Sequence, residues 1–141
     1  MKFETYLHFD GDCEQALKFY EQCLGGKIEA LLPYASAPTQ DQRVPAEWRN
    51  KIMHGRLTIG DAAIMGMDAP PNYFEQPKGF SVSIMLSDPA EAERLFHALE
   101  QGGTVRMPIQ QTFWATRFGM LTDRFGTPWM INCTQAAERA A

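Results

Sequence analysis

The chain repeats itself, and no other feature of its sequence limits the possible folds as much. A gapless shift of 77 residues lays Phe3 on Phe80, Glu14 on Glu91, Phe19 on Phe96, Gly25 on Gly102 and Gly26 on Gly103, with Ile28 over Val105. In a chain of 141 residues that period leaves room for two copies of one supersecondary unit and little else. Both copies have the same order: an alternating apolar run, an Asp/Gly or Asp/Pro corner, a helical stretch, a Gly-Gly stop and a second alternating run. A chain of this size buries roughly two thirds of its unfolded surface. The expectation is therefore one domain over residues 1–141, with module one at 1–67, a linker at 68–79 and module two at about 80–135.

In the first copy, Phe3, Thr5, Leu7 and Phe9 alternate with Glu4, Tyr6, His8 and Asp10, the period of a strand with one apolar face. Residues 14–24 read as a helix. Ala16, Leu17, Phe19, Tyr20, Cys23 and Leu24 form its stripe, with Asp12 as N-cap and Gly25 past its end. Residues 27–32 form a second strand. The stretch 33–50 holds Pro33, Pro38 and Pro45 and has little periodicity, which predicts a functional or interface loop rather than a simple connection. Residues 52–59 and 62–67 then pair as a hairpin about Gly60-Asp61. In the second copy Phe80, Val82, Ile84 and Leu86 alternate. Pro89 opens a helix after Asp88, and residues 90–100 continue it. Strands follow at 104–111, 114–121 and 128–133, the last two joined by Asp123-Arg124-Phe125-Gly126.

Thirteen Lys and Arg against seventeen Asp and Glu give a net charge of -4. With no basic run, nucleic acid and anionic membrane are not expected as partners, since both need clustered positive charge. No apolar stretch approaches the roughly 20 residues of a membrane span. The acidic residue in Met1-Lys2-Phe3-Glu4 comes too early for a signal peptide, so a cytoplasmic protein is expected. Cys13, Cys23 and Cys133 are odd in number and lack C-x-x-C spacing, which argues against a disulfide framework or zinc knuckle.

Paired strand-helix-strand-strand-strand modules, the helix segment Ala16-Leu17-Lys18-Phe19-Tyr20 and the Asp123 to Gly126 hairpin resemble the vicinal oxygen chelate superfamily of glyoxalase, bleomycin resistance and dioxygenase proteins. Three stretches resemble its PhnB-like branch more specifically: Tyr6 to Gly11, Lys51 to Leu57, and Gln111 to Trp114 running into Asp123 to Asn132. The resemblance covers nearly the whole chain. It implies an α+β fold in which two βαβββ modules form a curved mixed sheet, a half-barrel cleft with helices on the outer face, and a homodimer. Some members of this branch bear a methyltransferase label. The sequence has no Gly-rich loop between a strand and a helix to cradle adenosylmethionine.

The resemblance also implies one metal in the cleft, held by the first and fourth strands of each module. With Leu7 and Phe9 facing the helix, Glu4, Tyr6 and His8 face the cleft. The four ligand positions then read Glu4, Met65, Ser81 and Met130. Thioethers are poor ligands for a hard or borderline divalent ion, so neither a metal site nor a cofactor is expected. The alternative is a metal-dependent lyase, isomerase or dioxygenase with displaced ligands Glu4, His8 and His54.

Without a metal, the cleft candidates are Tyr6, His8, His54, Arg56, Trp114 and Asn132. Arg56 has two readings, an anchor for a carboxylate or phosphonate and an ion-pair partner of Glu4. Phe113, Trp114, Phe118 and Trp129 suit either a pocket wall or a core. Trp48 and Trp114 are favoured for contact with a ligand or interface. Met65, Met67, Met85, Met120 and Met130 would make a soft cleft surface, better suited to binding than to catalysis. No Ser/His/Asp or G-x-S-x-G nucleophile pattern is present. The leading reading is a glyoxalase-like protein that binds a small molecule. An assembly role for the 33–50 loop, without chemistry of its own, is a third reading.

Overall fold

A computed structural model describes residues 1–135. The chain divides into two compact units, Met1–Gln76 and a second beginning at Pro77. The first runs β1 (Thr5–Phe9), α1 (Cys13–Leu24), β2 (Lys27–Pro33), β3 (Ile52–Ile59) and β4 (Ala62–Asp68). The second runs β5 (Val82–Leu86), α2 (Pro89–Leu99), β6 (Thr104–Gln110), β7 (Arg117–Thr122) and β8 (Pro128–Cys133). The sheet orders are β1-β4-β3-β2 and β5-β8-β7-β6. Both sheets are mixed: the β1/β4 and β5/β8 pairs are parallel and the other pairs antiparallel. Two similar modules of an α+β fold are thus present, as the repeat predicts.

Each helix lies on one face of its own sheet, α1 against β2, β3 and β4, and α2 against β7 and β8. Leu7, Phe9, Leu17, Tyr20 and Leu57 are buried in the first core, and Leu95, Phe96, Leu121, Trp129 and Ile131 in the second. Alternation therefore assigns the faces correctly. Tyr6 and His8, alternating with the buried Leu7 and Phe9, lie on the exposed face of their sheet, as do Ser83 and Met85 of β5.

The Gly-Gly stops explain their own repetition. Gly25 caps α1 with a φ of 77°, the left-handed region that ends a helix at little cost only when the side chain is absent, and Gly102, at 76°, turns the chain past the Glu100 cap of α2. The second glycine of each pair permits close backbone approach. A Cβ on Gly26 would lie 2.4 Å from the Thr58 carbonyl oxygen, and one on Gly103 would lie 2.3 Å from that of Thr122.

Two sequence expectations are corrected, and one strand changes faces part-way. The third strand of the second copy begins at Arg117 rather than Trp114. The Thr112 hydroxyl accepts the Ala115 N–H at 3.1 Å, and Thr112 N–H bonds to Ala115 O, so residues 112–115 close a turn in place of extending the ladder. Ile52 is buried although it shares parity with His54, because an irregularity between Leu32 and Pro33 skips Met53 in the pairing and reverses the faces there. Asp12 occupies the N-cap position of α1 but makes no side-chain cap.

Asp68, the last residue of β4, caps that helix in its place. Its Oδ1 accepts the N–H groups of Gly11 and Cys13 at 3.0 and 2.9 Å, and its Oδ2 accepts Ile52 N–H at 2.8 Å. Asp123 has a matching role in the second unit. It accepts Phe125 and Thr127 N–H on Oδ1 and the Trp129 indole on Oδ2. Both carboxylates are buried and satisfied by three donors each.

Candidate functional site

The strand registers set out the exposed face of the first sheet residue by residue. Tyr6 pairs with Met65, which pairs with Arg56, while His8 pairs with Met67. His54 lies opposite Leu32 of β2. The Tyr6 hydroxyl and His54 Nδ1 share a hydrogen bond of 3.2 Å. The Tyr6 ring packs edge-on against His8 and tilted against His54, with centroids 5.8 and 5.9 Å apart. Desolvation is the main cause that raises the Tyr6 hydroxyl above its ordinary pKa, with the Cys13 thiol adding to it. The phenol therefore stays protonated at neutral pH. With Nδ1 engaged by the phenol, Nε2 is the His54 nitrogen left to meet an incoming group.

Arg56 resolves to the second of its two readings. Its guanidinium forks onto Glu4, with Nη1 to Oε2 at 2.9 Å and Nη2 to Oε1 at 3.3 Å, and Lys2 adds a contact to Glu4 at 3.0 Å. These hydrogen bonds, from Arg56 first and Lys2 second, hold the Glu4 carboxyl down at about 2. Arg56 is a paired cation at the edge of the Tyr6–His8–His54 cluster.

At equivalent register positions the second sheet has different chemistry. Ser83 pairs with Met130 and Met130 with Met120; Met85 pairs with Asn132 and Asn132 with Phe118. Ser83 and Met85 thus occupy the positions of Tyr6 and His8, and Phe118 and Met120 those of His54 and Arg56. Trp114 packs edge-on against Phe118 at 5.3 Å between centroids, and Phe113 against Trp114 at 4.7 Å. Asn132 Oδ1 is buried with no hydrogen-bond partner among the described residues, as is Thr134 Oγ1 just past β8. Sequence reasoning selected Tyr6, His8, His54 and Arg56, which fall together in the first unit, and Trp114 and Asn132, which fall in the second. It missed Asp68, whose place at the head of a Pro-rich stretch looks like linker.

Trp48 is half-buried rather than displayed, and a Cβ on Gly11 would lie 3.5 Å from its ring. The loop that holds it borders an open pocket of about 390 Å³ whose lining includes Tyr34, Gln40, Asp41, Val44 and Arg49. Cys13 is buried and desolvation pushes its thiol well above the ordinary range, so it is no thiolate nucleophile.

A family model described as 3-demethylubiquinone-9 3-methyltransferase matches residues 1–132. The chain belongs to that family, the PhnB-like branch of the vicinal oxygen chelate superfamily. The methyltransferase wording is a label of the model and assigns no reaction to this chain. Protein YjdN of Escherichia coli K12 is 32% identical over 139 residues, spanning 94% of this chain and 95% of the relative. The crystal structure of PA1353 from Pseudomonas aeruginosa is 49% identical, with a TM-score of 0.88 over 96% of this chain and 98% of that one. A PhnB protein from Bacillus cereus, at 24% identity, has a TM-score of 0.79 over 95% of this chain and all of that one. The fosfomycin resistance protein FosX of Listeria monocytogenes shares the fold alone, at 9% identity and a TM-score of 0.67 over 99% of this chain and 95% of that one.

The superfamily implies a metal, and the residues at the expected positions do not fit one. Of Glu4, Met65, Ser81 and Met130 only Glu4 offers a carboxylate, and both its oxygens are taken by Arg56. Among the described residues no group of three or more His, Cys, Asp and Glu stands together to hold an ion. No helix there is long and apolar enough to cross a membrane.

Proposed function

We propose that this protein binds a small organic molecule against the exposed face of its first sheet, without the superfamily metal, and that it does so as a homodimer in the cytoplasm. The observation that carries the reading is the Tyr6–His8–His54 cluster, polar aromatic groups hydrogen-bonded to one another on a sheet face that the helix leaves uncovered. Rings with polar tips set among thioethers combine apolar contact area with a few directional groups, the usual make-up of a small-molecule site. His54 Nε2 and the His8 ring would orient the ligand, with the Arg56–Glu4 pair as its polar border.

FosX was crystallised with Mn(II) and 1S,2S-dihydroxypropylphosphonic acid, and its shared fold makes small phosphonates and organic acids reasonable first probes. A thermal-shift screen of such compounds tests the reading. Expected is at least one compound that raises the melting temperature of the wild-type protein and loses its effect in His54→Ala. A screen in which no compound acts through His54 or His8 would sink the reading. Arg56→Ala separates its two possible roles: binding retained in that variant means the arginine serves Glu4 alone. Light scattering at several concentrations reads the assembly, a monomer throughout being the contrary result.

A further inference from the structure

The two exposed sheet faces descend from one repeated unit and have diverged in chemistry. Where the first presents Tyr6, His8, His54 and Arg56, the second presents Ser83, Met85 and Met120, with Met130 and Asn132 between them on β8 and Phe118 buried against the Trp114 ring. No charged side chain stands at these positions. A charged ligand placed there would lose its hydration with nothing ionic to replace it, so the face favours a neutral one. Met85 is 49% exposed and Trp114 45% exposed. Thioether and ring edges adapt to a flat partner through dispersion and sulfur–aromatic contact.

Asn132 adds direction to this surface. It sits on the central strand with Met85 on one side and Phe118 on the other, and its Oδ1 is buried without a partner among the described residues. Buried acceptors are rarely left unpaired, and an orphan at a candidate site calls for an explanation outside the protein's own hydrogen bonds. Going beyond the small-molecule reading above, we infer that this face is a site of its own for a flat, neutral, largely apolar molecule, which donates an N–H or O–H to Asn132 Oδ1. Trp114, held edge-on against Phe118, forms its aromatic wall.

Matched probes that differ only in the donor test this directly: indole against 1-methylindole, and phenol against anisole, titrated by NMR into the full-length protein. The donor-bearing member of each pair is expected to bind roughly tenfold more tightly, since its partner leaves the amide oxygen unpaired. The ratio should fall to about one in Asn132→Leu and also in Asn132→Ala, which cannot overfill the site. Trp114→Ala should weaken both members of a pair by similar factors. Equal binding within each pair by the wild-type protein, a ratio that survives both Asn132 variants, or no binding by any of the four probes overturns the inference. The outcomes also separate the two proposals. Acids that bind through His54 while the paired probes fail to discriminate leave the small-molecule reading standing without this site. If His54-dependent binding is absent as well, both fall.

Discussion

Glu4 and Arg56 show how one contact settles what a residue type leaves open. An arginine on an exposed strand face is an anion anchor until a carboxylate occupies its fork, and Glu4 does so through both oxygens. Because the Glu4 carboxyl is held at about 2, below its ordinary value of 4.5, its contribution to stability is fully present above pH 4.5 and is lost as pH falls toward 2. Asp41, held at about 2 by Arg43, titrates through the lower part of the same window. Melting temperature measured against pH should therefore fall less steeply between pH 4.5 and 2 for Glu4→Gln than for wild type. An unchanged slope would show that the pair is not formed in solution. The buried carboxylates predict a larger effect. Asp68→Ala strands three N–H donors, each costing about 1–3 kcal/mol when unsatisfied, so a loss of about 3 kcal/mol or more is expected in urea unfolding. Asp123→Ala should behave alike, and a loss below about 1 kcal/mol in either would contradict the hydrogen-bond assignment.

Elements were legible where local patterning decides them. The strands at 52–59 and 128–133 and the approximate ends of both helices follow from period, caps and stops, which depend on neighbours within a few residues. The misplaced start at Trp114 came from a turn built by a Thr112 side chain, which competes with the ladder in a way that alternation does not register. Gly-Gly stops are the element-level signature of the repeat, and their two members should respond differently from an ordinary turn glycine. Gly26→Ala and Gly103→Ala drive a Cβ into a carbonyl oxygen and should cost about 2 kcal/mol or more. Gly60→Ala meets only open space at a φ of 57° and should cost about 1 kcal/mol, the strain of the left-handed region alone. If Gly26→Ala proves as mild as Gly60→Ala in the same unfolding assay, the backbone approach seen here is not rigid.

At the scale of the whole molecule, the residues at the superfamily's metal positions and their partners lead to one further prediction. Untagged protein reconstituted with zinc, nickel, manganese, cobalt and iron should retain no stoichiometric ion after removal of loosely bound metal. One tightly held ion per chain, lost in His8→Ala, would restore the metal-dependent alternative through Glu4, His8 and His54. The duplication was readable from sequence because the first two strands of each copy keep a constant offset: Thr5–Phe9 and Lys27–Pro33 recur at Val82–Leu86 and Thr104–Gln110. Beyond them the offset breaks, because the connection at 34–51 is much longer than its counterpart at 111–116. Sequence alone thus determined the duplicated module, the sheet faces and the candidate residues, all of which rest on periodicity along the chain. Tertiary structure decided that Arg56 is paired with Glu4, that Asp68 caps a helix from a strand far along the chain, and that Asn132 Oδ1 is left without a partner among the described residues. Those outcomes depend on which strands become neighbours and in what register, and residues some fifty apart carry no mutual signal until the sheet brings them together.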